Sequence, residues 1–235
     1  MYISEDFGGL SFRTYKDQLI LGGSGHRTGE NSSGGQYDVL RQQARIYWPD
    51  CRESACWSAQ DCMPMDKIPY IGQFSGKYSY WYVATGFKKW GMTSSMVAAR
   101  LISDAILQID NEDRHVFSPQ RHTWKASAGS FIKDGMSSVR HLTRYYLKRP
   151  DKVVDQLLPG HGGIVRCNGK KVGAYKDMDG HVFCVSVKCP HLGCQLEWNP
   201  EEKTWDCPCH GSRYDHTGML INNPAQEVSI GRDES

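Results

Sequence analysis

The chain has 235 residues and a formal net charge of +2, with 28 Lys and Arg against 26 Asp and Glu. This balance excludes a polybasic nucleic-acid surface and an acidic tail. The longest apolar runs, such as Val182–Val187, fall far short of a membrane span, and the length suits one large or two modest domains.

Taken in order, the first half reads as α plus β. Met1–Ser4, Leu10–Tyr15 and Gln18–Leu21 alternate as strands, with Lys16-Asp17 as a tight turn. The spacing predicts an amphipathic helix over Tyr37–Tyr47. Ala55–Ala59 and Tyr80–Ala84 are apolar or aromatic enough for strands. Thr93–Leu107 predicts a helix with Met96, Ala99, Ile102 and Ile106 along one side. A further helix is predicted over 130–148, where Phe131, Met136, Val139, Leu142 and Tyr146 recur at helical spacing and Pro150 ends the pattern.

From about Asp155 onward the pattern changes to short strands with turn punctuation. Gly163–Cys167, Lys171–Tyr175 and His181–Val187 are predicted strands, joined by hairpin turns at Asn168-Gly169 and Asp179-Gly180. The organisation predicted is therefore an α+β part over 1–120, a helical linker over 121–154 and a small all-β domain of antiparallel sheets over 155–235. No internal repeat or low-complexity segment is visible.

The residues that carry chemistry lie in two boxes, Cys189-Pro-His191-Leu-Gly-Cys194 and Cys207-Pro-Cys209-His210-Gly-Ser212. Taken as ligands, Cys189, His191, Cys207 and His210 give C-x-H, fifteen intervening residues and C-x-x-H. Two cysteines and two histidines would also satisfy a structural zinc tetrahedron, although zinc modules normally use C-x-x-C knuckles. A plain disulfide scaffold is a second alternative, and it leaves both histidines without a role. The cysteines outside the boxes, Cys51, Cys56, Cys62, Cys167 and Cys184, are expected as reduced and mostly packed thiols. His161, His181 and His216 lie off the pattern and are expected at the surface or in turns.

The two boxes resemble the Rieske motif, in which two thiolates bind one iron of a 2Fe–2S cluster and two imidazoles bind the other. Neutral imidazoles in place of thiolates make such a cluster easier to reduce than a ferredoxin-type one. The resemblance implies metal ligation by Cys189, His191, Cys207 and His210. It is to the high-potential, respiratory type, which implies a disulfide between Cys194 and Cys209. It also implies that the hydroxyls of Ser212 and Tyr214 donate to cluster sulfurs and so raise the potential. An oxygenase component is disfavoured by the two extra cysteines and by the lack of a recognisable mononuclear site of two His and one carboxylate.

The first half resembles the C-terminal portion of the glycine/D-amino-acid-oxidase family of FAD-dependent oxidoreductases. The segments that carry this are Leu21-Gly-Gly-Ser-Gly-His26-Arg-Thr-Gly29, Trp57-Ser-Ala-Gln60-Asp61, Asp66-Lys-Ile-Pro69-Tyr-Ile-Gly72 and Ala84-Thr-Gly86-Phe-Lys-Lys-Trp90-Gly91-Met92-Thr93. The resemblance implies that Gly86, Trp90, Gly91, Met92 and Thr93 form the turn and helix start that approach a flavin. Trp57 and Tyr82 are expected to pack in the core, and Gln60-Asp61 to be structural. The family's strand–GxGxxG–helix is absent, since Gly23-Ser-Gly25 lacks the third glycine and the apolar helix. The chain is thus expected to be a C-terminal piece of a larger flavin–Rieske fusion, with an incomplete FAD site that does not hold the flavin tightly.

The function these readings imply is one-electron transfer through a 2Fe–2S cluster, coupled to FAD-dependent oxidation of a small amine or amino acid. No catalytic acid or base is predicted. The alternative is a soluble Rieske electron-transfer module without catalysis of its own, of the quinol or cytochrome-complex kind. Expected partners are an electron donor or acceptor protein, or a flavin domain, with no nucleic acid and no membrane span. The start, Met1-Tyr-Ile-Ser-Glu-Asp, lacks the pattern of an export signal, so a cytoplasmic location is expected.

Overall fold

A computed structural model describes residues 2–4, 9–121, 142–143, 150 and 153–229. The helix expected over 130–148 lies outside the described residues except at Leu142 and Thr143, which are helical. The chain forms two compact units, one of Met1–Ser58 with Ser137–Ser235 and the other of Ala59–Met136.

The first unit begins with β1 (Tyr2–Ile3), β2 (Ser11–Tyr15) and β3 (Gln18–Gly22), an antiparallel sheet in that order. Tyr15 pairs with Gln18 across Lys16-Asp17, and Lys16 takes a left-handed φ of 54° in this two-residue turn. Then comes α1 (Gln36–Tyr47), close to its expected bounds, with no residue fully buried. Residues 49–64 have no regular structure and are almost wholly exposed. The strand expected at Ala55–Ala59 does not form: among the described residues no strand pairs with it, and an isolated strand leaves its backbone groups to water. Trp57 is therefore exposed rather than packed in the core, while Tyr82 is half-buried.

The second unit holds β4 (Tyr70–Ser75), β5 (Tyr78–Thr85), α2 (Gly91–Ile106) and the short α3 (Arg114–Phe117). β4 and β5 form an antiparallel hairpin from Tyr70↔Thr85 to Ser75↔Tyr78. Sequence periodicity misplaces the inner face of α2. Ala98 and Leu101 are buried against Ile71, with Ile102 partly buried beside them, whereas Met96 and Ile106 face solvent. The helix is apolar around most of its circumference, so periodicity alone does not choose a face. The small Ala98 allows close approach to the hairpin that a methionine would prevent. Opposite this core, Arg121 grips Asp66 through two hydrogen bonds of 2.7 and 2.9 Å. It also donates to the carbonyls of Pro69 and Ile68 and lies 3.9 Å over the Tyr70 ring. This buried pair joins groups 55 residues apart within the unit.

The remainder of the first unit is all β. β6 (Gly162–Cys167), β7 (Lys170–Lys176) and β8 (Val182–Val185) form one antiparallel sheet. Asn168 and Gly169 both have left-handed φ, 47° and 78°, as the Asn-Gly hairpin requires. A second antiparallel sheet has the order β12–β11–β10–β9, from β9 (Glu197–Asn199), β10 (Thr204–Asp206), β11 (Arg213–Asp215) and β12 (Leu220–Asn222). Between them lies a core of Tyr175, Val185, Val187, Leu196, Trp198, Trp205 and Tyr214, together with the four box cysteines. Trp205 is completely buried. Arg213, Asp206, Thr204 and Asn199 form a buried polar network around Asp206, so its carboxylate is satisfied by three donors. Among the described residues no helix is long and apolar enough to cross a membrane.

Candidate metal centre

The two boxes fold as twin loops. In the first, which leads from β8 to β9, Cys189 N–H donates to Cys194 O at 2.8 Å and Gly193 N–H to Cys189 O at 2.8 Å. In the second, between β10 and β11, Cys207 N–H donates to Ser212 O at 2.8 Å and Gly211 N–H to Cys207 O at 2.9 Å. Each loop turns through a glycine with φ near +80°, Gly193 at 79° and Gly211 at 85°, where a side chain would be strained. The shared pattern C-P-x-x-G-x is the sequence signature of this shared geometry.

The loops meet tip to tip. Cys189 and Cys207 each expose only 1% of their surface and lie side by side in the core. His191 and His210 are exposed, with ring centroids 4.9 Å apart and planes at 87°. A disulfide joins Cys194 to Cys209, one cysteine from each loop. Cys194, Cys207 and Cys209 bring their sulfurs together, but two of the three are spent in that bond, which leaves Cys189 and Cys207 as thiol donors. Ser212 and Tyr214 are fully buried behind the thiols. Tyr214 Oη lies 3.8 Å from Cys189 Sγ, and Ser212 Oγ accepts the Ala225 N–H at 3.0 Å.

Two thiols at this distance share protons unequally. The hydrogen bond from Cys207, with help from the His191 backbone N–H, Tyr214 and Ser212, brings Cys189 down to about 5 against the effect of burial. Cys207 moves strongly upward, because of the neighbouring Cys189 thiolate and burial. Burial and the same thiolate raise the Tyr214 phenol. Burial, with the neighbouring His191, lowers His210. The result is a pocket that already holds one thiolate and favours a neutral imidazole. Soft thiolates at the buried end and imidazoles at the exposed end suit a 2Fe–2S cluster, and Cys189, Cys207, His191 and His210 could hold it.

The three histidines near the boxes but off the pattern have local partners. His161 Nδ1 lies 2.9 Å from Pro159 O, His181 pairs with Asp177 in an exposed turn, and His216 packs edge-on against Tyr175 and Phe183. The remaining cysteines are less packed than expected: Cys51, Cys56, Cys62 and Cys184 are exposed and Cys167 is half-buried. Their neighbours are polar coil or strand edge, so hydrophobicity alone does not draw them inward.

The candidate flavin contacts occupy the predicted strand–turn–helix order, from β5 through Gly86 to the start of α2. Gly86 is buried at φ 76°, and the space its missing Cβ leaves is taken by the Pro64 ring. Gly91 has open space around it, Trp90 and Met92 are exposed, and Thr93 Oγ1 donates to Trp90 O at 3.1 Å. These five residues line one edge of the turn and helix start. Arg27, placed by the sequence only in the flavoprotein-like segment, and Glu201, which stands outside every motif, make long-range contacts that no local pattern signals.

Comparison with known families matches residues 149–230 to the Rieske [2Fe-2S] domain and residues 1–105 to the FAD dependent oxidoreductase family. The Rieske 2Fe-2S iron-sulfur protein YhfW of Bacillus subtilis (strain 168) is 39% identical over 230 residues, 96% of this chain and 45% of that protein. The cytochrome b6-f complex iron-sulfur subunit of Nostoc punctiforme is 33% identical over 105 residues, 44% of this chain and 55% of that subunit. The chain thus spans about half the length of these curated relatives. Among solved structures, the plasma membrane Rieske protein PetC3 of Synechocystis PCC 6803 is 26% identical, covers 29% of this chain and 71% of its own, and has a TM-score of 0.27.

Proposed function

Because the chain carries a Rieske [2Fe-2S] domain behind an FAD dependent oxidoreductase segment, we propose that it passes single electrons between a flavin-bearing portion and an external acceptor. The observation that carries this reading is the pair of twin loops, which presents two buried thiols and two exposed imidazoles as one donor set. In this reading Cys189 and Cys207 hold one iron and His191 and His210 the other. When bound, such a cluster accepts and returns one electron at a potential above that of ferredoxin-type centres.

The chain's own residues do the rest. The disulfide between Cys194 and Cys209 keeps the two loops in register. Tyr214 and Ser212 place hydroxyls at the buried end, where they stabilise added negative charge and exclude water. His191 and His210 stand at the surface, where a partner can reach them and where an imidazole can take up or release a proton as the iron's charge changes.

Residues 1–120 supply the C-terminal part of an FAD-dependent domain that oxidises a small amine or amino acid, 121–154 a linker and 155–235 the electron-transfer domain. Gly86, Trp90, Gly91, Met92 and Thr93 are the edge of that domain nearest a flavin. The flavin supplies hydride acceptance; this chain holds its electron outlet. Cys51, Cys56 and Cys62, exposed and outside any disulfide, favour a reducing, cytoplasmic setting. The similarity to cytochrome b6-f iron-sulfur subunits favours a second reading, an electron-transfer module without catalysis of its own.

The test is an electron paramagnetic resonance spectrum of the dithionite-reduced chain beside an optical spectrum. A rhombic signal of low average g supports the mixed Cys/His centre. A silent sample with stoichiometric zinc overturns it. Amine-dependent reduction of the centre in a flavin-loaded, longer protein supports the coupled reading, and quinol oxidation without flavin supports the second.

A further inference from the structure

The twin loops have the same internal bonds but different surroundings. Pro190 of the first loop is exposed, whereas Pro208 of the second is fully buried. What covers Pro208 comes from the far end of the chain. Arg27, in the Gly-rich stretch after β3, donates its Nε–H to Pro208 O at 3.2 Å, across 181 residues of sequence. Gly29, buried and at φ 80°, lies directly on the same residue: a Cβ there would sit 2.7 Å from Pro208 N and 2.8 Å from its Cα. That obstacle is backbone, which cannot swing aside, so the approach requires glycine.

Further ties anchor this segment. Asn31, nearly fully buried, donates to Asn199 Oδ1 at 3.3 Å and to Glu201 Oε2 at 2.7 Å. Glu201, in the turn between β9 and β10, accepts the N–H groups of Gln36 and Tyr37 at 3.1 and 3.0 Å. It thereby caps α1 from another part of the chain, a role that Gly35, which has no side chain, cannot fill. Ser58 Oγ donates to Glu202 Oε1 at 3.1 Å.

We propose that the Arg27–Gly29 turn is a positioning device for the second loop, clamping Pro208 so that Cys207 and His210 are held in place from the flavoprotein-like half. The segment that resembles an FAD-dependent oxidoreductase is thus a working part of the metal centre's frame. The assignment of Cys207 and His210 as ligands rests on the reading above; the clamp on their loop does not.

The test is hydrogen exchange by mass spectrometry on the full chain as isolated, comparing peptides over 189–194 and 207–212. Each loop bonds two of its amides to its own carbonyls in the same pattern, so the first is an internal control for the second. Arg27→Gln, which removes a charged donor, is expected to speed exchange in 207–212 by about tenfold and leave 189–194 unchanged. Gly29→Ala should do the same, and it supplies a second variant if the first folds poorly. Equal acceleration in both loops, or none in either, overturns the clamp. In the reduced, cluster-bearing chain, Arg27→Gln should also shift the g values; an unchanged spectrum overturns the positioning role. A wild-type sample without the rhombic signal would sink the cluster reading alone, because the difference in exchange between the loops stands without it.

Discussion

The β region at 153–229 and the unit of Ala59–Met136 are built on opposite principles. The first fills the space between its sheets with aromatic side chains and four cysteines, and carries a buried polar network around Asp206 on the alternate positions of β9, β10 and β11. Among its described residues the second has a core of Ile71, Ala98 and Leu101, while much larger side chains lie outside, with Met92 85% and Met96 73% exposed. Its hairpin likewise exposes Phe74, Tyr80 and Trp81. A cluster domain must exclude water from its thiolates, so its packing is dense where the chemistry is. Among its described residues the other unit has a small apolar core and the buried Arg121–Asp66 pair.

Five groups of measurements would break or sharpen this contrast. The largest effect is expected from Cys189→Ser or His210→Ala, each of which should abolish the visible and paramagnetic spectra. A spectrum retained in either variant would remove that residue from the ligand set.

Next come two stability tests, one in each region. Trp205→Ala opens a cavity in the dense core and should cost about 3–5 kcal/mol in denaturant unfolding. Arg121→Ala leaves Asp66 buried without its cation and should cost about the same. Proteolytic cleavage should then begin within 59–121 in the second variant and not in the first. If Arg121→Ala is mild, the ion pair is not what holds the thin-cored unit.

The third is a pH dependence in the metal-free protein. Between about pH 5 and the ordinary thiol value of about 8.5, the unfolded Cys189–Cys207 pair binds two protons and the folded pair one. Stability from this pair therefore rises with pH over that window. Above it, the unfolded thiols ionise while Cys207 keeps its proton in the folded state, so the trend reverses. Denaturation midpoints from pH 5 to 10 should show the maximum, and Cys207→Ser should flatten it.

Smaller still is Tyr214→Phe, which removes one donor beside Cys189. A net hydrogen bond of about 1 kcal/mol corresponds to about 40 mV for one electron, and the midpoint should fall by that order. The smallest effect belongs to Met92→Gln with Met96→Gln. Exposed positions of this kind shift stability by about 0.5 kcal/mol or less, yet binding of a hydrophobic dye should drop. Marked destabilisation would mean that the outer face of α2 is packed after all.

How much was legible beforehand follows the range of each interaction. The two boxes, the Asn168-Gly169 hairpin and the alternating strands of 163–187 are short-range patterns, and they stand where expected. β9 to β12 escaped notice because three-residue strands carry too little alternation to register, and β4 escaped because Gly72 interrupts its pattern. The Cys194–Cys209 pairing came from resemblance and not from spacing, since four cysteines allow several pairings.

The sequence by itself determined the two boxes and their candidate donors: residue types and spacing are covalent facts, and a C-P-x-x-G-x repeat can satisfy its backbone within six residues. Only the tertiary structure decided which face of α2 is inward, that Arg121 closes on Asp66, and that Arg27 and Gly29 clamp Pro208. Those choices rest on groups well separated in sequence, from Ile71 with Ala98 and Leu101, through Asp66 and Arg121 at 55 residues, to Arg27 and Pro208 at 181. Such contacts are set by how elements pack, which local propensity and periodicity do not encode.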